Sequence, residues 1–159
     1  MSAAYDDDRL TAIGLFVETY RALTAVLARS LTGTGLSDNW FELLLRLARS
    51  PGSRLRMSDL AAQTGLSPSG LTRAIDRLEE AGLVVRATCP SDRRGAFAVL
   101  TPAGRERLEA ALPGHLADLQ ESFVDVLSAE ELAALTAALR KLRDRLNPCA
   151  AAVSDAKAC

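Results

Sequence analysis

Residues 58–82 read SDLAAQTGLSPSGLTRAIDRLEEAG, and this stretch decides the fold. Its first half predicts a short helix over residues 59–64, because Ser58 is a good N-cap residue. Gly65 follows at the position where many helices end in a left-handed residue, which glycine adopts without strain. The chain is therefore expected to turn sharply after residue 64.

A second helix is predicted directly after this turn. Ser67 is again an N-cap residue, and Pro68 falls in the first helical turn, where its missing N–H costs nothing. We expect this helix to run over residues 69–81 and to end at Gly82. Two short helices joined by a tight turn form a helix-turn-helix, which places its second helix in the major groove of DNA.

The two predicted helices divide their residues between a core face and an exposed face. The apolar side chains expected in the core are those of Leu60, Ala61, Leu66, Leu71, Ile75 and Leu78. The small, hydroxyl-bearing and basic residues expected to contact DNA are Ser67, Ser69, Gly70, Thr72, Arg73 and Arg77. Arginine suits both phosphate and guanine. An exposed face in an ordinary helical bundle would show the same pattern, so the flanking sequence has to decide.

A β-hairpin is predicted directly after the second helix. Residues 83–88 and 96–100 are β-prone, and the polar residues 89–95 between them form a turn. A hairpin placed after a recognition helix makes a wing. The fold class that we predict is mainly α with a small β-hairpin wing, a winged helix-turn-helix joined to long dimerisation helices.

The tip of the predicted wing carries Asp92, Arg93 and Arg94. An arginine at this position can enter the minor groove, where negative potential is focused. Asp92 is suited to hold a neighbouring arginine in place or to shape the turn. Cys89 begins the same turn, and the nearby arginines would favour its reactive thiolate.

The composition is that of a globular protein with an uneven distribution of charge. The 159 residues are 48% hydrophobic and 25% charged, and they suffice for one domain. Residues 54–105 hold eight basic and five acidic side chains, although the formal net charge of the chain is −1. The basic side chains thus concentrate in the region expected to meet double-stranded DNA.

Several classes of function lack their usual signals. No apolar run approaches the roughly 18 residues that span a bilayer, and the first residues are acidic where a secretory signal is basic. We therefore expect a cytoplasmic protein with no membrane partner. Three separate cysteines and one histidine predict no metal site. Without a glycine-rich phosphate loop or a nucleophile–histidine pairing, we expect neither a cofactor nor an enzyme.

Long amphipathic helices flank the predicted DNA-binding region. Apolar residues repeat at spacings of three and four in residues 9–31, and again after Thr101 and after Ser128. Ser128 and Glu131 have the spacing of a capping box, which predicts the start of the last helix. A domain of this size cannot bury all these stripes in its own core, so we predict a homodimer, with a monomeric bundle as the alternative. The predicted layout is a disordered segment 1–8, a dimerisation region over 9–36 and 102–147, a winged helix-turn-helix over 37–101 and a disordered tail 148–159.

Several runs of this sequence resemble the MarR family of transcriptional regulators. They are residues 57–61, 67–73 and 76–84, the wing sequence PSDRRG at residues 90–95, and VLTPAG at residues 99–104. The resemblance spans residues 9–147 and implies a dimeric repressor, with residues 67–77 in the major groove and Arg93 and Arg94 at the wing. The wing is most similar to that of PecS-like members, many of which respond to urate or other small organic anions. The first helix lacks the tryptophan that urate-responsive members carry there.

A regulator of this kind needs a signal. We expect a pocket for a small organic effector where the dimerisation helices meet the winged element, lined by Phe16, Tyr20, Trp40 and His115, although these side chains could instead fill the core. The effector would favour a conformer with mis-spaced recognition helices and so release a pseudo-palindromic operator.

Two alternatives to release by a small-molecule effector remain open at this point. One is a redox sensor acting through Cys89, although the peroxide sensors of the family carry their reactive cysteine in the first helix, where this chain has none. The other is a winged helix that serves protein contacts or DNA architecture without an effector. Sequence-specific binding to a two-fold DNA site would distinguish the regulator from the second scheme.

Overall fold

The computed structural model describes the backbone of residues 4–89 and 92–148 and the side chains of residues 5–88 and 96–148. Over this part of the chain, six α-helices surround a small antiparallel sheet, which confirms the predicted fold class. The elements in chain order are α1 Asp8–Ser30, α2 Asp38–Ala48, β1 Arg54–Arg56, α3 Met57–Thr64, α4 Pro68–Glu80, β2 Val84–Cys89, β3 Asp92–Leu100, α5 Pro102–Leu119 and α6 Ala129–Leu146.

A short helical turn precedes α1. Ala4–Asp6 forms a single 3-10 turn, and α1 begins at Asp8. The Asp7 carboxylate accepts a hydrogen bond from the backbone N–H of Arg9 at 2.9 Å, which caps the helix. The Asp7 cap places the start of α1 one residue before the predicted start at residue 9, and disorder of the N-terminal segment 1–8 remains a prediction.

The helix-turn-helix forms where the sequence predicts it. Gly65 ends α3 with φ of 68°, in the left-handed region. The Ser67 hydroxyl oxygen accepts from the backbone N–H of Gly70 at 3.1 Å and caps α4, with Pro68 in its first turn. The prediction for α3 is wrong by two residues: the helix begins at Met57, and the Ser58 hydroxyl donates to the Asp59 carboxylate instead of capping.

The sheet contains one strand more than the sequence predicts. Its order is β1-β3-β2, with both pairs antiparallel, and Leu55 of β1 lies opposite Ala98 of β3. β2 and β3 form the expected hairpin, in which Val85 pairs with Val99 and the register shifts after Thr88. A three-residue strand such as β1 is too short for a periodic signal, and its partner lies more than forty residues away.

The core is built mainly from leucine. Of the six predicted core residues, Leu60, Leu71, Ile75 and Leu78 are fully buried, and the other two are partly buried against them. Leucines of α2 pack in the same cluster, namely Leu43, Leu44 and Leu47. The inner face of α4 is thereby fixed, so that its outer face has a defined direction.

The start of α5 is attached to the turn that follows α4. The Thr101 hydroxyl donates to the carbonyl of Gly82 at 2.7 Å and also accepts from the backbone N–H of Gly104 at 3.0 Å, which caps α5. The Thr101 backbone N–H donates to the carbonyl of Leu83 at 3.1 Å. Gly104 is buried against the same carbonyl group. The long helix and the recognition element are thus joined without a flexible linker.

The last two helices are separated by an irregular segment. α5 continues through Pro113 and is followed by a π-helical turn, Gln120–Val124, that the sequence does not predict. Ser128 and Glu131 form the predicted capping box at the start of α6. At the other end of α6, the Asn147 side chain donates to the carbonyl of Ala62 on α3 at 2.8 Å.

Neither α1 nor α6 contains a buried residue in the single chain. α1 has a mean hydropathy of 1.4 in its most apolar 18-residue window, so by length and composition alone it is apolar enough to cross a membrane. The sequence of α1 contains no uninterrupted apolar run because Glu18 and Arg21 fall in the middle of the helix. The fold thus leaves the surfaces of two long helices uncovered.

Candidate nucleic-acid interface

The outer face of α4 presents the side chains that the sequence assigns to DNA. Ser67, Ser69, Thr72, Arg73 and Arg77 are exposed, and Gly70 is half-buried among them. The opposite face carries Leu71, Ala74, Ile75 and Leu78, all buried. Because the buried face is fixed in the core, the exposed face forms a continuous polar surface along the helix.

The hydroxyl groups at the start of α4 are held in place by local hydrogen bonds. The Ser67 and Ser69 hydroxyls lie 3.3 Å apart, and the Thr72 hydroxyl donates to the carbonyl of Pro68 at 2.9 Å. This end of the helix also has the partial positive charge of a helix N-terminus, which favours a phosphate group. The arrangement suits close approach of a duplex to the first two turns of α4.

A shallow groove of about 350 Å³ extends this surface to α2. It is lined by Ser37, Asn39 and Trp40 at the start of α2 and by Arg73 and Arg77 of α4. Ser37 and Asn39 were not among the residues predicted to contact DNA. The only available signal was Ser37 as a helix N-cap, and which surface the start of that helix would meet is a tertiary property.

The wing follows α4 through the hairpin of β2 and β3. Asp92, Arg93 and Arg94 lie at the start of β3, opposite the end of β2, so the backbone places them at the hairpin end remote from the helices. Their side chains, that of Cys89, and the turn residues Pro90 and Ser91 lie outside the part of the structure that is described. The DNA contacts of the wing and the redox role of Cys89 remain predictions.

Arg86 of β2 links the wing to the recognition helix and was missed by sequence reasoning. Its guanidinium group is 2.6 Å from the Asp76 carboxylate and 2.7 Å from the Glu79 carboxylate. Its backbone N–H donates to the other carboxylate oxygen of Glu79 at 2.9 Å. Burial lowers the pKa of Arg86, but the hydrogen bonds and charges of Asp76 and Glu79 outweigh burial and raise it above its ordinary value.

Two further arginines lie on the edge strand of the sheet. The guanidinium carbons of Arg54 and Arg56 are 5.3 Å and 5.2 Å from the centre of the Phe97 ring, on neighbouring strands. Such cation–π contacts hold the two side chains along the sheet face. Together with Arg86, they account for part of the basic charge that the sequence concentrates in residues 54–105.

A cavity of about 730 Å³ opens between the long helices and the winged element, and it receives only one of the four predicted ligand residues. His115 lines it. Trp40 lines the groove beside α4 instead, while Phe16 and Tyr20 lie on the uncovered face of α1, with 49% and 62% of their surface exposed. The aromatic side chain that faces the cavity is Phe41, one position after Trp40 and therefore about 100° around α2.

His115 is held by contacts to two other helices. Its Nδ1 atom is 2.9 Å from the Ser30 hydroxyl of α1, and its ring centre is 4.3 Å from that of Phe41 of α2. Because Ser30 donates its hydroxyl proton to the carbonyl of Leu27 at 2.6 Å, the neutral His115 ring donates from Nδ1. Burial lowers the pKa of His115 below 6.5, although the charges of Asp118 and Asp38 act in the opposite direction.

The charged residues around the cavity are mixed in sign. Arg46 pairs with Glu42 at 3.1 Å, and Arg143 of α6 pairs with Asp144 at 2.6 Å. Arg49 forms no ion pair with any residue described in the structure. Across residues 5–88 and 96–148, whose side chains are described, no group of three or more histidine, cysteine or carboxylate side chains is arranged to hold a metal ion.

Comparisons with known proteins agree with this geometry. The sequence model of the MarR family matches residues 34–95. AbsC, a MarR family transcriptional regulator from Streptomyces coelicolor, is 42% identical with a TM-score of 0.81, over 88% of this chain and 95% of AbsC. Sco3205 from the same organism, solved in complex with DNA, is 34% identical with a TM-score of 0.80, over 92% of this chain and 94% of Sco3205.

One relative from another organism is a repressor. The transcriptional repressor YetL of Bacillus subtilis is 29% identical over 127 residues, which are 80% of this chain and 75% of YetL. These matches identify the family, whereas the PecS-like subset remains a prediction. The polar face of α4, the wing that follows it and the agreement with solved relatives over nearly the whole chain lead to one conclusion: this protein belongs to the MarR family of DNA-binding transcriptional regulators.

Proposed function

We propose that this protein is a cytoplasmic homodimeric repressor that leaves a pseudo-palindromic operator when a small organic anion enters the cavity beside His115. The observation that carries the proposal is the exposed polar face of α4, held by a leucine core and followed directly by a wing. The mechanism needs no catalytic step. It requires only two conformers of different affinity for DNA.

The uncovered helices support a dimer. Leu10, Ile13, Phe16 and Tyr20 of α1 are each about half or more exposed in one protomer. On α6, Leu142 and Leu146 are 54% and 79% exposed. An apolar surface of this extent on a soluble protein marks an interface, because each Å² removed from water contributes about 25 cal/mol. A second copy of the chain, with the same uncovered helices, is the partner that we propose.

Two-fold symmetry would determine the form of the DNA site. A symmetric dimer presents two copies of α4, and neighbouring major grooves on one side of a duplex are about 34–36 Å apart. The operator is then an inverted repeat with half-sites about one helical turn apart. Arg73 and Arg77 of each copy would read base edges, and the start of α4 would hold a phosphate.

The position of the cavity supports release by a ligand. Its walls come from α1, α5 and α6 on one side and from α2 and α3 on the other. A molecule between these two groups of helices would alter the angle between the dimerisation region and the recognition helix. Since both copies of α4 must fit one duplex, a change in their spacing lowers the affinity for DNA.

The lining of the cavity favours a flat aromatic anion. Phe41 and His115 offer ring faces, and Leu27 and Leu45 offer apolar contacts. The guanidinium group of Arg49 has no ion-pair partner within the described structure. It can therefore bind and donate hydrogen bonds to a carboxylate. The chemistry that we propose for the effector is therefore a small aromatic carboxylic acid.

A gel-shift assay on the DNA upstream of the protein's own gene tests the proposal. We expect a shift with the stoichiometry of a dimer that survives excess random DNA. Benzoate at millimolar concentration should weaken the shift, whereas the uncharged analogue benzamide should not, and Arg49→Gln should remove the response to benzoate. Equal competition by random DNA would contradict specific recognition, and equal effects of the two compounds would contradict the assignment of Arg49.

A further inference from the structure

The Arg86 side chain joins the recognition helix to the wing at three points. It reaches the carboxylates of Asp76 and Glu79, which lie three positions apart on one side of α4. It also donates to the carbonyl of Thr72 at 3.3 Å, one turn earlier on the same helix. One guanidinium group thus spans nearly two turns of α4 from a single position on β2.

The backbone of β2 is fastened to the same helix. Glu79 accepts from the Arg86 backbone N–H with one carboxylate oxygen and from the guanidinium group with the other, at 2.9 Å and 2.7 Å. Arg86 itself pairs with Ala98 of β3, so α4, β2 and β3 are connected one after another. Bidentate contacts of this type fix orientation as well as distance.

Arg86 also compensates two negative charges beside the DNA-binding surface. Asp76 lies on α4 between Arg73 and Arg77, and its carboxylate is about half exposed. An unpaired carboxylate at this place would repel the phosphates of a bound duplex. The Arg86 side chain is less exposed than either of its partners, so it reaches the helix from the wing side of the surface.

We propose that Arg86 is a positioning residue, which holds the wing at the angle where it reaches the minor groove while α4 occupies the major groove. The wing tip lies several residues further along the hairpin, so a small rotation at Arg86 becomes a large displacement at Arg93 and Arg94. Arg86 needs no contact with DNA for this role. The inference rests on the proposed DNA-binding function. It assigns to Arg86 the coupling between the two surfaces that contact DNA, α4 and the wing.

Footprinting in both grooves tests the inference, with the full-length protein on its operator. Hydroxyl radicals report minor-groove protection, and methylation of guanine N7 reports major-groove protection. For Arg86→Gln we expect the affinity for the operator to fall about tenfold, because one or two contacts between the wing and DNA are lost. At saturating protein, minor-groove protection at the flanks should be lost and central major-groove protection kept. Arg94→Ala should give the same pattern.

Control variants distinguish the positioning role of Arg86 from an effect of its charge and from an effect on the stability of the protein. Arg9→Gln removes the exposed pair with Asp7 on α1 and should leave both footprints unchanged. A triple variant combines Asp76→Asn, Glu79→Gln and Arg86→Gln, so it removes the contacts between Arg86 and α4 without leaving an uncompensated negative charge. We expect it to lack minor-groove protection, as Arg86→Gln does. Arg86→Lys, which can pair with one carboxylate but cannot span both, should recover it in part.

Several results would overturn the inference. They are minor-groove protection that persists in Arg86→Gln, parallel loss of protection in both grooves at saturation, or recovery of minor-groove protection in the triple variant. A wild-type protein that protects the major groove alone would overturn it as well. If the wild-type protein protected no DNA, the proposed function itself would fail, which distinguishes the two outcomes.

Discussion

Gly104 of α5 lies directly against the carbonyl group of Leu83. A Cβ atom at residue 104 would overlap this carbonyl oxygen and come within 2.8 Å of the Leu100 side chain. Leu83 belongs to the turn that follows α4, and Thr101 at the start of α5 is hydrogen-bonded to the same turn. The start of the long helix α5 therefore cannot shift without moving the end of the recognition helix.

Replacing Gly104 tests this contact. We expect Gly104→Ala to lower the free energy of unfolding by about 1–3 kcal/mol, because the overlapping neighbour is backbone and cannot turn aside. Gly114→Ala in the same helix is the matched control, since its Cβ would meet only one atom, at 4.0 Å. Thermal unfolding followed by circular dichroism measures both. Equal melting temperatures for the two variants would show that α5 is free to move away from Leu83.

Arg73 is the side chain most directly tied to base recognition. It is exposed on the outer face of α4 and lines the groove shared with Trp40. We expect Arg73→Ala to weaken operator binding by about 1–3 kcal/mol with little effect on random DNA, as for the loss of a bidentate contact to guanine. Fluorescence anisotropy on both duplexes measures the difference. An equal loss on the two would make Arg73 a phosphate contact.

The proposed dimer predicts a difference between two faces of α6. Leu142 is more than half exposed in one protomer, so Leu142→Glu should fold normally but expose the charge to the partner helix and produce monomers. Ala133→Glu places the same charge nine positions earlier, half a turn around the helix, and should leave the dimer intact. Sedimentation velocity gives the mass of each. A dimeric Leu142→Glu would show that this stripe is not the interface.

The lowered pKa of His115 predicts a dependence of stability on pH. The folded protein binds the proton less tightly than the unfolded chain, so protonation favours unfolding. The contribution of neutral His115 is therefore complete above pH 6.5 and is lost as the pH falls below this value. Between about pH 7.5 and about pH 5.5 the wild-type melting temperature should fall more steeply than that of His115→Gln. Parallel slopes would contradict the assignment.

Local chemistry explains the parts of the fold that the sequence predicts well. Ser67, Gly65 and Ser128 act within one helical turn of their own positions, and each adopts the predicted capping or left-handed role. The order of helices, turn and hairpin follows from such signals. The core residues of α4 follow from the helical period alone.

Features that depend on distant parts of the chain were not predictable in the same way. β1 exists because Arg54–Arg56 pairs with β3, and no local pattern in three residues indicates this. Trp40 and Phe41 are adjacent aromatics, and only the packing of α2 determines that Phe41 faces the cavity. The partners of Arg86 were not predictable for the same reason, because no local signal in α4 shows that β2 lies beside Asp76 and Glu79.

If two copies of α4 read one symmetric DNA site, selection from a randomised duplex library should recover that site. After several rounds with the purified protein, sequencing should reveal an inverted repeat whose half-sites are separated by about one helical turn, roughly 10–10.5 base pairs from centre to centre. Enrichment of a single unpaired half-site, or of no sequence at all, would contradict the account.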